Sequence, residues 1–321
     1  MYVTFQTSIT NMKIVNGIIK LICSALFLMS VSLNAASSES DFIIGFPEDN
    51  LSNDWRAAQM NQIIRETRKH KNVRFLKADA NGSVAKNILD IEDMVNQGVQ
   101  LLFLAPQNPD ALKPIVAKLR KKGIYIVLLT RKLNTEDYDV FIAPDDFKIA
   151  YDAASLLANK INGKGRILML EGVPTTTTAI NRRKGFVAAI NNYPDIKIIS
   201  RVANYSRIES ISVMERLISK NEKIDAIYAH NDAMAAGARF TLKQAGVNPA
   251  SIPTVGIDFL PETRDAIIKG EQLASFTYPL CGKIGVTTAL KLLQGIHVPR
   301  YISVPSTVVT HKNVTSTPTV Y

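Results

Sequence analysis

The sequence predicts an α/β protein of two similar Rossmann-like lobes, each a parallel sheet wrapped by helices, joined by strands that form a hinge. Three observations predict it. Short apolar runs alternate with amphipathic stretches along the chain, the pattern of strands and crossover helices. That alternation falls into two series separated by Phe141-Ile142-Ala143-Pro144-Asp145-Asp146, where a proline followed by two acids suits a crossover between lobes better than a central strand. Two later passages, Phe276-Thr277-Tyr278-Pro279 and the return from Tyr301 to Val309, imply that neither lobe is continuous in sequence.

In the first series, Phe42 to Phe46 reads as a strand and Trp55 to His70 as a helix. Val73 to Ala78 is a strand, and Ala85 to Gln97 is a helix stopped by Gly98. Leu101 to Ala105 is a strand ended by Pro106, followed by a helix from Pro109 to Lys122 and a strand from Tyr125 to Leu129. The second series runs through Phe147–Ile161, Arg166–Glu171, Ala179–Asn192, Lys197–Val202, Ile208–Asn221, Ala226–Tyr228, Ala233–Gly246 and Thr254–Ile257, alternately helix and strand. Ile284 to Leu293 is a last helix with Gly295 as its stop. The lobes are accordingly expected at 40–144 plus 279–306 and at 145–278 plus 307–321, with a ligand site in the cleft between them.

Ahead of these lobes, Lys13 and Lys20 flank an apolar run from Leu21 to Leu33, and the small residues Asn34-Ala35-Ala36 follow. A basic start, an apolar segment too short to span a bilayer comfortably and a small-residue cleavage site read as a secretory signal over 1–36, with translation expected from Met12. Cys23 lacks the small residue that precedes a lipid-modified cysteine, so a released, periplasmic protein is expected. Only Cys281 remains in the mature chain, which excludes an internal disulfide. The formal charge of +10 falls to +8 without Lys13 and Lys20. The basic runs Arg65–Lys71 and Lys118–Lys122 sit late in predicted helices, where cations suit the macrodipole, and no aromatic residues interleave with them. They read as solvated helix ends and not as a nucleic-acid surface.

The densest functional signal is Tyr228-Ala229-His230-Asn231-Asp232-Ala233-Met234, a short apolar strand that stops at polar residues where a small-residue helix begins. In open parallel sheets ligands collect at such strand ends, because helix N-termini bring unpaired backbone donors there. Taken with Trp55-Arg56, Ala105-Pro106, Thr130-Arg131, Asn181-Arg182-Arg183-Lys184-Gly185-Phe186 and Gly256-Ile257-Asp258, the chain resembles the type I periplasmic sugar-binding proteins that serve ABC transporters. The likeness covers about Phe42 to Val309, and the galactofuranose-binding members are the most similar in the Trp55-Arg56 pair and the basic run before Gly185-Phe186.

A sugar presents hydroxyls at its rim and C–H patches on its faces, which calls for planar charged hydrogen-bonding groups and an aromatic platform. The resemblance implies that Arg131, Arg182, Asn231 and Asp258 recognise hydroxyls, that Arg56 reaches another, and that Trp55 and Tyr205 supply aromatic faces. Each has a plainer alternative: Trp55 as a core residue at a helix start, Tyr205 as a loop aromatic, Asp258 as the cap of a helix starting at Pro261. The chain departs from the family pattern in having Thr130, and not an aspartate, directly before Arg131, and in having Tyr278-Pro279 where ribose binders carry a glutamine. These departures predict a cleft more positive than in a neutral-sugar binder and extend the ligand class to acidic or phosphorylated sugars.

Catalytic patterns are scarce. The histidines at 70, 230, 297 and 311 have no metal-ligand spacing, Gly163-Lys164-Gly165 lacks the rest of a phosphate loop, and no serine sits in a Gly-x-Ser-x-Gly elbow. Thr175 to Thr178 reads as a polar loop with Thr178 capping the next helix. The expected activity is therefore that of a monomeric binding protein, without cofactor or metal and without nucleic-acid partner, that hands its ligand to an inner-membrane permease. A sensor of the same fold signalling to a membrane kinase or chemoreceptor is the alternative.

Overall fold

A computed structural model describes residues 42–321, so the signal-peptide expectation lies outside the described residues. Each of two sheets has six strands. The first has the order β11-β5-β4-β3-β1-β2, built from β1 (Phe42–Glu48), β2 (Val73–Asp79), β3 (Leu101–Leu104), β4 (Tyr125–Leu129), β5 (Val140–Ala143) and β11 (Tyr301–Ser303). The second has the order β12-β10-β9-β8-β6-β7, from β6 (Lys164–Glu171), β7 (Asp195–Val202), β8 (Ala226–Ala229), β9 (Thr254–Asp258), β10 (Ala274–Thr277) and β12 (Val308–Thr310). All neighbours are parallel except β12, which runs antiparallel to β10.

Central strands such as β3 and β8 are apolar and buried at every position, as expected of strands covered on both faces by helices. Successive residues of β6 feed opposite cores: Ile167 and Met169 pack with Phe186, Tyr228 and Ile257, whereas Leu168 and Leu170 pack with Met214, Ile227 and Met234. The first sheet divides its side chains in the same way around Phe46 and Phe103 on one face and Leu102, Leu104 and Leu128 on the other.

The helices α1 (Asp54–Thr67), α2 (Val84–Asn96), α3 (Lys113–Lys121) and α9 (Gly282–Leu293) cover the first sheet. The second is covered by α4 (Asp146–Lys160), α5 (Thr177–Ile190), α6 (Arg207–Ser219), α7 (Asp232–Gln244) and α8 (Pro261–Ile268). The chain thus passes between the sheets at β5 to α4, at β10 to α9 and at β11 to β12. Helix α5 lies close against α4 because Gly185 has no side chain; a Cβ there would fall 2.1 Å from the Phe147 carbonyl oxygen.

Three sequence expectations need correction. Helix α3 starts at Lys113 and not at Pro109, because the Asn108 side chain accepts the N–H groups of Asp110 and Ala111 and holds 109–112 in a turn. The cap of α5 is Thr176, whose hydroxyl accepts the Ala179 N–H at 3.2 Å, and Thr178 instead donates to the Thr130 carbonyl at 3.0 Å. The passage at 276–279 begins in a regular strand, β10, and crosses only at Tyr278.

Candidate functional site

Residues at or beyond the carboxyl ends of β1, β3, β4, β6, β8, β9 and β10 enclose a cavity of about 650 Å³ between the two sheets. That size is ordinary for a small-molecule site, for which roughly 300–1,000 Å³ is typical. Helix starts converge on it. Asn53 caps α1 through the Trp55 N–H at 2.9 Å, Ser206 caps α6 and Asn231 caps α7, each at a strand end.

All seven residues singled out from the sequence line this one cavity: Trp55, Arg56 and Arg131 from the first lobe, and Arg182, Tyr205, Asn231 and Asp258 from the second. Their states differ from the expectations in detail. Trp55 is only 6% exposed, donates through Nε1 to the Tyr278 carbonyl at 2.9 Å and lies 5.5 Å from the Tyr278 ring. It is cavity wall and core residue at once, so only part of its ring is free for stacking. Tyr205 has φ 61°, and its ring occupies the place where a side chain on Gly172 would sit, 2.0 Å from a Cβ built there. Gly172 therefore makes room for the aromatic wall.

The Asn231 amide is already employed. Its Oδ1 accepts the Met234 N–H at 3.0 Å and its Nδ2 donates to the Tyr205 carbonyl at 3.3 Å, which leaves one amide N–H for a ligand. Asp258 does not cap the following helix; Leu260 holds that position without a side-chain bond. Among the described residues the Asp258 carboxylate has no side-chain hydrogen-bond partner, and its backbone takes φ 121°, an unusual conformation for a residue with a side chain. Burial pushes its carboxyl well above the usual range, against the pull of Arg182.

The arginines expected to make the cleft positive each stand beside an acidic side chain. Arg131 Nη1 lies 2.5 Å from Asp49 Oδ2, and Arg182 Nε donates to Asp146 Oδ1 at 2.8 Å. Arg56 Nη1 donates to Gln59 at 3.2 Å and stands 3.7 Å from Glu48. The cavity lining sets Asp49, Asp54, Glu209 and Asp258 beside Arg56, Arg131, Arg182 and Arg207, burial holds the Glu48 and Asp258 carboxyls well above the usual range, and the acid missing before Arg131 in sequence is supplied in space by Asp49. Each guanidinium has five N–H donors, so these contacts fix its direction and leave donors over for a ligand. Burial opposes the charge on Arg182, and Asp146 and Tyr278 outweigh it. Burial alone would raise the Asp49 carboxyl, but Arg131 brings it down to about 2.

Sequence reading missed Glu48, Asp49, Asp146 and Tyr278 as parts of the site. Tyr278 is its structural node: its hydroxyl donates to Asp146 Oδ2 at 3.2 Å, the Arg182 guanidinium lies 4.5 Å over its ring, and its carbonyl accepts from Trp55. The available signal was two adjacent acids closing an apolar strand, Glu48-Asp49, and the acid pair after Pro144. Across the mouth, the two lobes exchange direct bonds. Asn53 Nδ2 donates to the Tyr205 carbonyl at 3.2 Å, Thr175 Oγ1 to the Gln107 carbonyl at 2.7 Å, and the Lys132 N–H to Thr177 Oγ1 at 2.8 Å. The cleft is therefore closed. Among the described residues no three His, Cys, Asp or Glu side chains are grouped so as to hold a metal ion, and no helix is long and apolar enough to cross a membrane.

Residues 44–296 match the family model described as periplasmic binding protein domain. The xylitol-binding protein of Mycolicibacterium smegmatis is 32% identical over 69% of this chain and 65% of its own length. The galactofuranose-binding protein of Escherichia coli is 30% identical over 77% and 80%, and the ribose import binding protein of Bacillus subtilis 28% over 86% and 90%. Among solved structures, the fructose-binding periplasmic domain of a hybrid two-component system superposes with a TM-score of 0.81 at 30% identity, covering 86% of this chain and 92% of that one. A galactofuranose-binding protein superposes at 0.80 with 28% identity, covering 86% and 96%.

Proposed function

The chain belongs to the periplasmic binding protein family, and from that premise we propose that it captures a neutral monosaccharide or related polyol between its lobes and delivers it to the permease of an ABC transporter in the inner membrane. The observation that carries this reading is the cavity lining, in which each buried arginine has an acidic side chain beside it and Asp258, its carboxyl pushed up by burial, has no side-chain partner among the described residues. Hydroxyl groups both donate and accept, so a polyol satisfies spare guanidinium donors and the Asp258 carboxyl together. An anion would meet arginines whose charge is already offset, and the acids beside them.

The lobes in this reading are 40–144 plus 279–306 and 145–278 plus 307–321, and the seven residues from the sequence form the contact set. Ligand touches Arg131 on one lobe and Arg182 on the other, so it binds the closed form best and shifts the population toward it. That form docks on the permease. The protein works as an exported monomer in the periplasm, without cofactor and without catalysis. A second reading, a sensor that passes the closed form to a membrane kinase, has the likeness to a ligand-binding domain of a hybrid two-component system in its favour.

The test is a thermal-shift screen of neutral sugars, polyols, uronic acids and sugar phosphates, followed by fluorescence. Trp55 is the only tryptophan, so its emission reports the cavity directly. A neutral member is expected to raise the melting temperature and change the emission, with stabilisation of about 2.7 kcal/mol at a hundredfold excess over Kd. A screen in which only anionic members bind would overturn the neutral-ligand reading.

A further inference from the structure

Asp49 closes the carboxyl end of β1 and borders the cavity, 7% exposed. Its Oδ2 receives Arg131, its backbone N–H goes to Glu48 Oε1 at 3.1 Å, and its Oδ1 is buried without a partner among the described residues. Such a buried ion pair is a poor source of stability, because desolvation of both charges offsets their attraction. An acceptor left over in a buried carboxylate costs more still unless something donates to it. The neighbouring Glu48 carboxyl, which burial holds well above the usual range, is placed to donate to it, and the edge of Asp49 beside Arg131 borders the cavity, where a ligand hydroxyl can reach. With Arg131 beside it, Asp49 is ionised, and an ionised carboxylate accepts hydrogen bonds but cannot donate them.

The neighbouring Thr130 does not compete for this role. Its hydroxyl turns back to the Leu129 carbonyl at 2.7 Å, and its carbonyl accepts from Thr178 across the cleft. Its φ of 62° is an outlier for a β-branched residue, whereas aspartate enters that region several-fold more readily. The chain thus holds an unsuitable residue before Arg131 and takes its acid from another strand.

We infer that Asp49 sets the selectivity of the cavity for neutral over anionic ligands: with Arg131 it takes one ligand hydroxyl, and it repels a carboxylate or phosphate placed there. Discrimination of this kind works through a repulsive element as well as an attractive one. Without Asp49, the Arg131 guanidinium would present an uncompensated fork of the kind that binds carboxylate and phosphate. The inference rests on the sugar-binding reading above.

Titration calorimetry on the mature chain with D-galactose, D-ribose, D-fructose, xylitol, D-galacturonate and ribose 5-phosphate tests it. Asp49→Asn keeps the shape and removes the charge. It should weaken the neutral ligand tenfold or more while strengthening binding of galacturonate or ribose 5-phosphate. A parallel loss on both classes would reduce Asp49 to a support for Arg131 and overturn the inference, as would no change on either. Adding Thr130→Asp to Asp49→Asn returns a carboxylate to Arg131 and should restore the neutral preference; a double variant no more selective than the single counts against it. If Asp49→Asn does not fold, Asp49→Glu keeps the ion pair and moves the acceptor by one methylene. The rank order among the neutral ligands should then change, and an unchanged order overturns the assignment. A parent protein that binds no neutral ligand in the panel sinks the sugar reading itself, an outcome distinct from a parent that binds one and an Asp49→Asn variant that binds it equally.

Discussion

His230, wholly buried where β8 ends, shows how a single side chain is committed by its surroundings. Its Nδ1 accepts the Gly172 N–H at 3.2 Å, and its Nε2 has no partner among the described residues. Burial, then Arg182 and Arg183, holds its pKa well below the ordinary 6.5, so the folded protein keeps it neutral. The unfolded chain takes up a proton below about pH 6.5 that the folded chain refuses, so the stability this residue confers is present above that pH and lost as pH falls toward the depressed folded value. The slope is at most about 1.4 kcal/mol per pH unit. Urea midpoints at pH 7.5, 6.5 and 5.5 should decline in the parent protein and decline less in His230→Gln, whose amide oxygen can still accept from Gly172. Equal slopes would assign the acid sensitivity elsewhere. In the sequence, His230 was visible only as part of a strand-end motif. Its partner Gly172 lies 58 residues away, and no local pattern marks the pair. Arg131 and Asp258 were legible because they stand at strand ends, whereas Glu48, Asp49 and Asp146 acquire their roles from arginines on other elements, two of them on helices.

Among the elements, α5 is the most exposed to error in a sequence reading. Its basic run suggests a cleft arginine that contributes little to packing, and on that ground Arg182→Ala should leave the fold intact. The structure corrects this. Arg182 is 2% exposed, donates to Asp146 at the start of α4 and to the His230 carbonyl, and stacks on Tyr278. Removing it leaves Asp146 as a buried, uncompensated carboxylate, a change that typically costs about 3–5 kcal/mol. Affinity for the ligand should fall as well, roughly tenfold to hundredfold for a lost charge-assisted bond of about 1.5–3 kcal/mol. Adding Asp146→Asn to Arg182→Ala should recover part of the stability and none of the affinity, as read by denaturant unfolding beside calorimetry. Full stability in the single variant would show that the α4–α5 pair does not depend on its ion pair. Strand and helix identities were legible because the period of apolar residues is a local property. The start of α3 was not, because an asparagine turn at Asn108 competes with the helix for the same backbone donors.

At the scale of the whole molecule, the two-sheet plan could be read from the chain, since proline-broken passages announce where it leaves a sheet, but the closed relation of the lobes could not. Closure is held by cross-cleft bonds between residues without periodicity, among them Thr175 to the Gln107 carbonyl and the Lys132 N–H to the hydroxyl of Thr177 at the start of α5. Neither threonine lines the cavity, so they can be changed without touching ligand chemistry. In the open form the same backbone groups would be hydrated, and each bond therefore contributes only its net value, about 0.5–1.5 kcal/mol. Thr175→Ala with Thr177→Ala should then lower the closed-to-open ratio by about tenfold to hundredfold, and a ligand that needs the closed form loses apparent affinity in proportion to the fraction competent to bind it. Small-angle scattering of the ligand-free double variant should report a larger radius of gyration than the parent, and stopped-flow Trp55 fluorescence a faster dissociation rate. If scattering, affinity and dissociation rate all match the parent, these two bonds do not bias the lobes, and closure depends on the cross-cleft bonds of Asn53 and Thr178, the cavity contacts and the three crossings.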